Sequence, residues 1–438
     1  MTDFSRRNAV LIDANQLSPQ MVVRRRGAAA QVANFIAIIS NGHRGWERKS
    51  AVLFSAKSHS TIERSYDNYQ DSSDSRVLGN SMPTQVIVHA PYDLRFEEMP
   101  SIERPLGDFE LLVRAEVGAL SPGTEARIYS GGGVERFSYR ISYPFPLGYN
   151  NVGKVMAVGS KVRGYDPGQR VFTCMPHLSE FIVAEQAAGE SGRPPSPNIP
   201  KSYDQIARVP ENVPSEHAVF THLLLLGFNA LQRGQYRFGE NVVVIGLGVV
   251  GLGAVCMARA AGARVAAVGN ALSRLKTARA IGADTAWLAG DDDLGHSTSF
   301  AGEPGVDLVI VCTDAWEAMK TAVTISRRNT RIAVLAFPGV RQGPCPFEPF
   351  EPADFYNRSL SYIAVSWMAM DDYPPEYQRF TRKRVYRYIL DLMAHHRIDL
   401  SPLVTHHFPI ARIQDAFDLV LSRDKSVLGI VLDWNESR

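Results

Sequence analysis

The sequence predicts a two-part α/β protein, in which a β-rich domain of short strands precedes a parallel sheet covered on both faces by helices. PTQVIVHA (83–90) and ELLVRAEVGAL (110–120) alternate with a period of two, which is typical of strands. NVVVI (241–245) and VDLVIVC (306–312) are continuous apolar runs, which indicate strands buried on both faces. Segments of helical length separate these later runs, and this order favours a parallel sheet.

The remaining elements follow the same two patterns. GKVMAVGSKV (153–162) and QRVFTCM (169–175) are predicted strands joined by the turn YDPG, and HLSEFIVAEQ (177–186) closes the β-rich part. The Pro/Gly/Ser-rich residues 187–204 are predicted to form an exposed loop. A helix is predicted to run from residue 215 to a stop at Gly234. Later predictions are a helix at 316–327, strands at 330–337 and 359–367, and a closing helix–loop–helix–strand at 384–434.

The first 81 residues differ from the rest of the chain. They hold 11 Lys/Arg and 7 Asp/Glu, a net charge of +4, and their best apolar piece, AAAQVANFIAIIS, is interrupted by polar residues. We expect residues 1–81 to be a disordered extension, or upstream sequence preceding a true start at Met82. A secretory signal beginning at Met21 is the alternative, but its cleavage site would be poor.

Composition excludes several classes of function. The 438 residues are 45% hydrophobic and 21% charged with a net charge of +2, which is ordinary for a soluble protein and argues against a nucleic-acid surface. The four cysteines stand alone without any CxxC, so neither a disulfide framework nor a zinc knuckle is implied. The isolated cysteines favour a reducing cytoplasm. No run of eighteen apolar residues occurs, so we expect no membrane partner.

A glycine turn at 246–251 predicts a dinucleotide site. Gly246, Gly248 and Gly251, with Val249 and Val250 between them, form GLGVVG after a strand and at the start of a helix. These glycines permit the tight turn, the approach of a pyrophosphate and close helix–strand packing, while the helix N-terminus offers unpaired N–H groups. This is the fingerprint of a Rossmann domain. Thr313, after the strand VDLVIVC, is also an expected cofactor contact.

The end of the next strand favours NADP(H) over NAD(H). An NAD site usually carries Asp or Glu there, whereas this chain has Gly269 and Asn270, so no carboxylate repels a 2′-phosphate. Ser273 and Arg274 follow, and the Arg274 guanidinium could pair with that phosphate through two N–H groups. The alternative is that Arg274 is only a solvated helix residue.

From about Met82 to Trp434 the chain resembles the medium-chain dehydrogenase/reductase superfamily. The matching pieces are SPGTEARIYSG, PLGYNNVGKVMAVGSKVRGYDPGQRVF, HLSEFIV, VVVIGLGVVGLGA and DAFDLVLSRDKSVLGIVL. The resemblance implies a GroES-like catalytic domain at 82–214, a Rossmann domain at 215–376 and a C-terminal return to the catalytic domain at 377–438. It also implies a small-molecule substrate and a homodimer.

At the positions of the catalytic zinc ligands the sequence departs from the zinc-type members of that superfamily. Pro122 stands where the resemblance implies a cysteine ligand, and Tyr149 stands where it implies a histidine. The third ligand position falls near His222 when FNA (228–230) is aligned with the family's Leu-His-Ala. Catalytic zinc needs three protein ligands. We therefore expect no metal, with Tyr149 filling part of the vacant volume.

Without zinc, a positioned proton donor or hydrogen bond has to assist hydride transfer. The candidates are Tyr149, His222 and Thr124, which the resemblance places at the family's proton-relay position. The alternative for Tyr149 is that it only packs. The alternative for His222, which lies in the apolar run THLLLLGF, is that it is a core histidine whose hydrogen bonds are satisfied. The resemblance puts Glu125 at an acidic position that supports the zinc site, and here we expect it to orient Thr124 or pair with Arg127.

Three other histidines, His177, His406 and His407, show no ligand spacing and are expected to be surface or packing residues. The resemblance, with the glycine turn and the proton-donor candidates Tyr149 and His222, implies a zinc-independent, NADP(H)-dependent oxidoreductase acting on a secondary alcohol or sugar-like substrate. Two alternatives stay open: a quinone or enoyl reductase, and a non-catalytic NADPH-binding structural or regulatory protein.

Overall fold

The computed structural model describes residues 82–132, 141–185, 206–291, 305–340, 342–365 and 380–435. All of them lie in one compact unit, Val77–Arg438. The predicted extension, residues 1–81, and the whole of the predicted loop at 187–204 lie outside the described residues.

The β-rich part is built on a seven-stranded, mostly antiparallel sheet. Its long central strand is β3 (Glu110–Leu120), which pairs with several neighbours. Along the sheet the order is β15 (Val404–Pro409), β16 (Gly429–Asp433), β3, β5 (Asn151–Val158), β6 (Arg170–Thr173) and β8 (Ile206–Arg208), and β7 (Glu180–Ala184) also pairs with β3. A smaller sheet has the order β2 (Asp93–Glu98), β1 (Thr84–Ala90) and β4 (Phe145–Pro146). The last strand thus returns to the first domain, because β16 pairs antiparallel with β3, Val431 opposite Ala119.

The second sheet has six parallel strands with the doubly wound order 3-2-1-4-5-6 that the glycine turn predicts. The order is β11 (Thr285–Leu288), β10 (Arg264–Gly269), β9 (Asn241–Ile245), β12 (Val306–Val311), β13 (Ser326–Val334) and β14 (Ser361–Ala364). Every residue of β9 is buried, as expected for a central strand with helices on both faces. The predicted combination of a GroES-like β domain and a Rossmann domain is therefore confirmed.

Within the described residues the α-helices are α1 (Glu125–Ser130), α2 (Ser215–Ala218), α3 (Thr221–Arg233), α4 (Val249–Ala260), α5 (Leu272–Ala280), α6 (Trp316–Ile325), α7 (Arg382–Ala394) and α8 (Ile413–Leu421). Helices α3 and α4 pack unusually close, since a Cβ placed on Gly227 would come within 2.7 Å of the Ala254 Cα. Thr381 caps α7, its hydroxyl accepting a hydrogen bond from the Arg384 N–H at 3.2 Å. Helix α3 also packs against α7.

Candidate active site

The glycine turn has the shape that a dinucleotide phosphate requires. Gly246 has φ +95°, which is the left-handed region, and a Cβ on Gly251 would lie 1.8 Å from the Gly246 carbonyl oxygen. A Cβ on Gly248 would meet nothing within 4 Å, so there is open space at the N-terminus of α4, where Val249 and Val250 form the first turn. The backbone here fits a pyrophosphate, which would take the unpaired N–H groups of the helix.

An ion pair joins the two domains next to this turn. Thr313 follows β12 and lies against Gly246, since a Cβ on Gly246 would be 2.9 Å from the Thr313 Cβ. The next residue, Asp314, accepts a hydrogen bond from Arg127 of α1, with 3.1 Å between Nη2 and Oδ2. Both side chains are largely buried. This pair therefore links α1 of the β-rich domain to the loop that follows β12.

Arg274 is held by backbone carbonyl groups in this structure. Its Nε donates to the Lys425 carbonyl at 3.1 Å and its Nη2 to the Val427 carbonyl at 3.3 Å, so α5 is linked to the loop before β16. Partial burial lowers the pKa of Arg274, and Asp424 opposes that shift. Gly269 packs under Leu247, whereas Asn270 and Ser273 are exposed at the start of α5. The end of β10 thus carries no carboxylate, and the accessible residues beside it are Asn270 and Ser273.

Tyr149 lies where the resemblance implied a histidine ligand, and its hydroxyl is hydrogen-bonded to the Ser121 Oγ. Ser121 directly precedes Pro122 and is buried, whereas Tyr149 is half-buried. Thr124 is the N-cap of α1, without a side-chain capping bond. A hydroxyl group can both donate and accept, so this bond allows a proton to pass between Tyr149 and Ser121.

Glu125 has a partner that the sequence analysis did not foresee. Its Oε2 is 2.9 Å from the His177 Nε2, both side chains have 0% exposure, and its Oε1 accepts from the Ser121 N–H at 2.9 Å. The expectation that Glu125 pairs with Arg127 or orients Thr124 is wrong in this geometry, because His177 and the Ser121 amide take both carboxylate oxygens. His177 packs against Gly148, where a Cβ would come within 2.6 Å of its ring.

His222, on α3, faces Tyr149 and is bonded on its other side to α7. The Tyr149 and His222 ring centroids are 5.4 Å apart in an edge-on arrangement. The His222 Nδ1 is 2.7 Å from the Tyr386 Oη and 3.6 Å from the Cys174 Sγ, and the Tyr386 Oη is 3.0 Å from that sulfur. Burial lowers the pKa of His222 to about 3, with a smaller contribution from the charge of Arg382. The imidazole is therefore neutral at ordinary pH.

The structure thus brings Tyr149, His222 and Glu125 into one region, with Thr124 at the end of the same loop. Among the described residues, no three His, Cys, Asp or Glu side chains are placed to hold a metal ion. Sequence reasoning missed Ser121, Cys174, Tyr386 and the role of His177. Ser121 could have been found from its place beside Pro122, but the other three come from distant elements and leave no local pattern.

Comparisons with known proteins agree with this architecture. A family model described as the alcohol dehydrogenase GroES-like domain matches residues 107–212, and one described as zinc-binding dehydrogenase matches residues 249–383. Together these matches span more than half of the chain. Sorbitol dehydrogenase of Rattus norvegicus is 25% identical over 357 residues, covering 76% of this chain and 91% of that protein. L-threonine 3-dehydrogenase of Anaeromyxobacter dehalogenans is 27% identical over 356 residues, covering 76% and 93%.

A solved structure supports the same fold. A dehydrogenase from Sinorhizobium meliloti, crystallised with NADP, superimposes with a TM-score of 0.60 at 18% identity, covering 81% of this chain and 100% of that one. With both domain matches, the doubly wound sheet and the glycine turn in place, the chain belongs to the zinc-type alcohol dehydrogenase-like superfamily of medium-chain dehydrogenases/reductases and is an oxidoreductase of that type.

Proposed function

We propose that this protein is a zinc-independent, NADP(H)-dependent dehydrogenase that interconverts a secondary alcohol, such as a sugar alcohol, and its ketone. The observation that carries the proposal is the Tyr149–Ser121 hydrogen bond next to the His222 ring. Two of the three positions at which zinc-type relatives bind metal are occupied by Pro122 and Tyr149, which are not zinc ligands of the usual kind. The hydroxyl groups of Tyr149 and of Ser121, the residue before Pro122, lie there instead.

The turn at Gly246–Gly251 would hold the pyrophosphate, with Thr313 and the Arg127–Asp314 pair beside it. When bound, a nicotinamide ring supplies or accepts the hydride. The oxygen of the substrate then gains or loses a proton. We assign that transfer to the Tyr149 hydroxyl, which can exchange its proton with Ser121. His222 is neutral and adjacent, so it can offer a hydrogen bond to the same oxygen without carrying a charge.

The preference for NADP(H) is part of the same proposal. The ribose-binding end of β10 has Gly269 and Asn270 rather than an acidic residue, and the exposed Ser273 lies on the first turn of α5. The relative from Sinorhizobium meliloti was crystallised with NADP. In this geometry Arg274 would bind the 2′-phosphate of NADP(H) either through its Nη1 or after releasing one of the two carbonyl groups to which it now donates.

The domain bounds 82–214, 215–376 and 377–438 belong to this proposal, as do a cytoplasmic location and a homodimer. Among the described helices none is long and apolar enough to cross a membrane. Strand β14 lies at one edge of the six-stranded sheet, where a second copy could pair with it.

The test is a panel of secondary alcohols, polyols, ketones, quinones and enones, with the absorbance of the nicotinamide cofactor as the readout. We expect turnover of alcohols or ketones with NADP(H), and well under one zinc per chain by elemental analysis after dialysis against a chelator. Turnover of quinones or enones alone would indicate the reductase alternative. Tight NADPH binding without turnover of any class would indicate a non-catalytic protein. Stoichiometric zinc after dialysis would refute zinc independence.

A further inference from the structure

His222 and two side chains close to its Nδ1 form a cluster of polar groups that the proposed proton transfer does not use. Tyr386, Cys174 and His222 come from α7, the end of β6 and α3, and their polar atoms all lie within 3.6 Å of one another. Tyr386 is completely buried and Cys174 is 2% exposed. The edge of the Phe172 ring packs on Tyr386, with 5.1 Å between centroids. The phenol is therefore fixed in place by its packing.

The chemistry of the three groups decides the direction of the hydrogen bonds. The unprotonated nitrogen of a neutral imidazole is a good acceptor, whereas a thiol is a weak donor and its sulfur a weak acceptor. The single proton of the Tyr386 hydroxyl therefore goes to the His222 Nδ1 at 2.7 Å, and the Cys174 thiol donates to the Tyr386 oxygen at 3.0 Å. This chain of bonds runs from sulfur to oxygen to nitrogen. It leaves the ring proton of the neutral histidine on Nε2.

The other nitrogen of the ring is available for a ligand. The Nε2 of His222 has no hydrogen-bond partner among the described residues. The ring itself lies beside Tyr149, with 5.4 Å between their centroids. In a neutral histidine the hydrogen bond made by one nitrogen sets which nitrogen carries the proton.

We propose that Tyr386 is a positioning residue, which fixes His222 as the tautomer protonated on Nε2 so that this N–H donates a hydrogen bond to the substrate oxygen. The hydrogen bond to the substrate oxygen rests on the proposed function, whereas the tautomer of His222 does not. The role differs from that of Tyr149, because His222 then stabilises negative charge on oxygen and transfers no proton. Helix α7 thereby acts on the site through the hydroxyl group of Tyr386, which lies 164 residues after His222 in the chain.

The tautomer is tested by long-range ¹H–¹⁵N spectra of the whole protein labelled with ¹⁵N in its histidine rings. The signal that disappears in His222→Gln identifies the residue among the 11 histidines. We expect the wild-type signal to be that of an imidazole protonated on Nε2. A signal of the Nδ1-protonated form would overturn the proposal. This measurement needs neither substrate nor any other variant. It therefore decides the tautomer of His222 even if no substrate is turned over.

The kinetic test compares Tyr386→Phe with the matched variant Tyr388→Phe on the same helix, where the ring is 41% exposed. Tyr386→Phe keeps the packed ring and removes only the hydroxyl. We expect it to lower kcat by about ten- to a hundredfold, since loss of one oxyanion donor typically costs up to 10²–10³, with the Kd for NADPH unchanged. Tyr388→Phe should match the parent. A folded Tyr386→Phe enzyme within about threefold of the parent kcat, or a loss confined to NADPH binding, would refute the positioning role. If Tyr386→Phe does not fold, the wild-type spectrum decides.

Discussion

Glu125 and His177 lie 52 residues apart and form a hydrogen-bonded pair with no solvent exposure, with 2.9 Å between Oε2 and Nε2. The other carboxylate oxygen of Glu125 accepts from the Ser121 N–H. Because Ser121 also binds Tyr149, this buried pair anchors the loop on which the proposed proton path depends.

We expect His177→Ala to lower the free energy of unfolding by about 3–5 kcal/mol, since it leaves the buried Glu125 carboxyl group without its partner. Chemical denaturation of both proteins measures the difference. The matched control is His89→Ala, which removes a similar contact to Glu97 at 2.6 Å on a partly exposed surface. That change should cost about 0–1 kcal/mol. Equal losses for the two variants would contradict the importance of the buried pair.

Two glycines of the turn should respond differently to alanine. Gly251→Ala places a Cβ 1.8 Å from the Gly246 carbonyl oxygen, so we expect a lower Tm together with weaker cofactor binding. Gly248→Ala meets nothing within 4 Å and should melt like the parent. It should nevertheless weaken NADPH binding, because the added methyl group occupies the space of the approaching phosphate. Unchanged NADPH affinity in a folded Gly248→Ala protein would place the cofactor elsewhere.

NADPH should bind more tightly than NADH, as titration by cofactor fluorescence would measure. Arg274→Ala should weaken NADPH binding more than NADH binding, because only NADPH carries the 2′-phosphate that a guanidinium can bind. Arg279→Ala, in the last turn of the same helix, is the control and should affect neither cofactor. If Arg274→Ala lowers both affinities equally, its bonds to the Lys425 and Val427 carbonyl groups are its main role.

Tyr149→Phe should lower kcat by about 10²–10⁴, the usual loss when a general acid–base is removed, with little change in cofactor affinity. Steady-state kinetics and fluorescence titration separate the two effects. Ser121→Ala should produce a smaller loss, because it removes the partner of the hydroxyl and leaves the hydroxyl itself. A Tyr149→Phe enzyme within about threefold of the parent would reduce Tyr149 to a packing residue.

The stability should depend on pH through His222. Its pKa is about 3 in the folded protein and near 6.5 in the unfolded chain, so below pH 6.5 the unfolded state binds more protons. The stability linked to His222 is therefore complete above about pH 6.5 and is lost as the pH falls towards 3. We expect the parent to lose more stability over this range than His222→Gln does. Parallel pH profiles for the two proteins would show that His222 has an ordinary pKa.

The features that could be predicted from the sequence alone are those that neighbouring residues control. Strand alternation, the buried run at 241–245 and the steric demands of the glycine turn follow from neighbouring residues, so both domains and the dinucleotide turn could be predicted. The identities of Pro122 and Tyr149 likewise indicate a departure from the usual zinc ligands.

Only the tertiary structure decided which side chains meet. Glu125 bonds to His177 rather than Arg127, Arg127 reaches Asp314, and His222 bonds to Tyr386. These partners are 52 to 187 residues apart, and nothing in the spacing of the chain specifies them. The reason is that a buried polar group must find a hydrogen-bond partner among whatever side chains packing brings within reach. For His222, the packing of α7 against α3 brings the Tyr386 hydroxyl within reach.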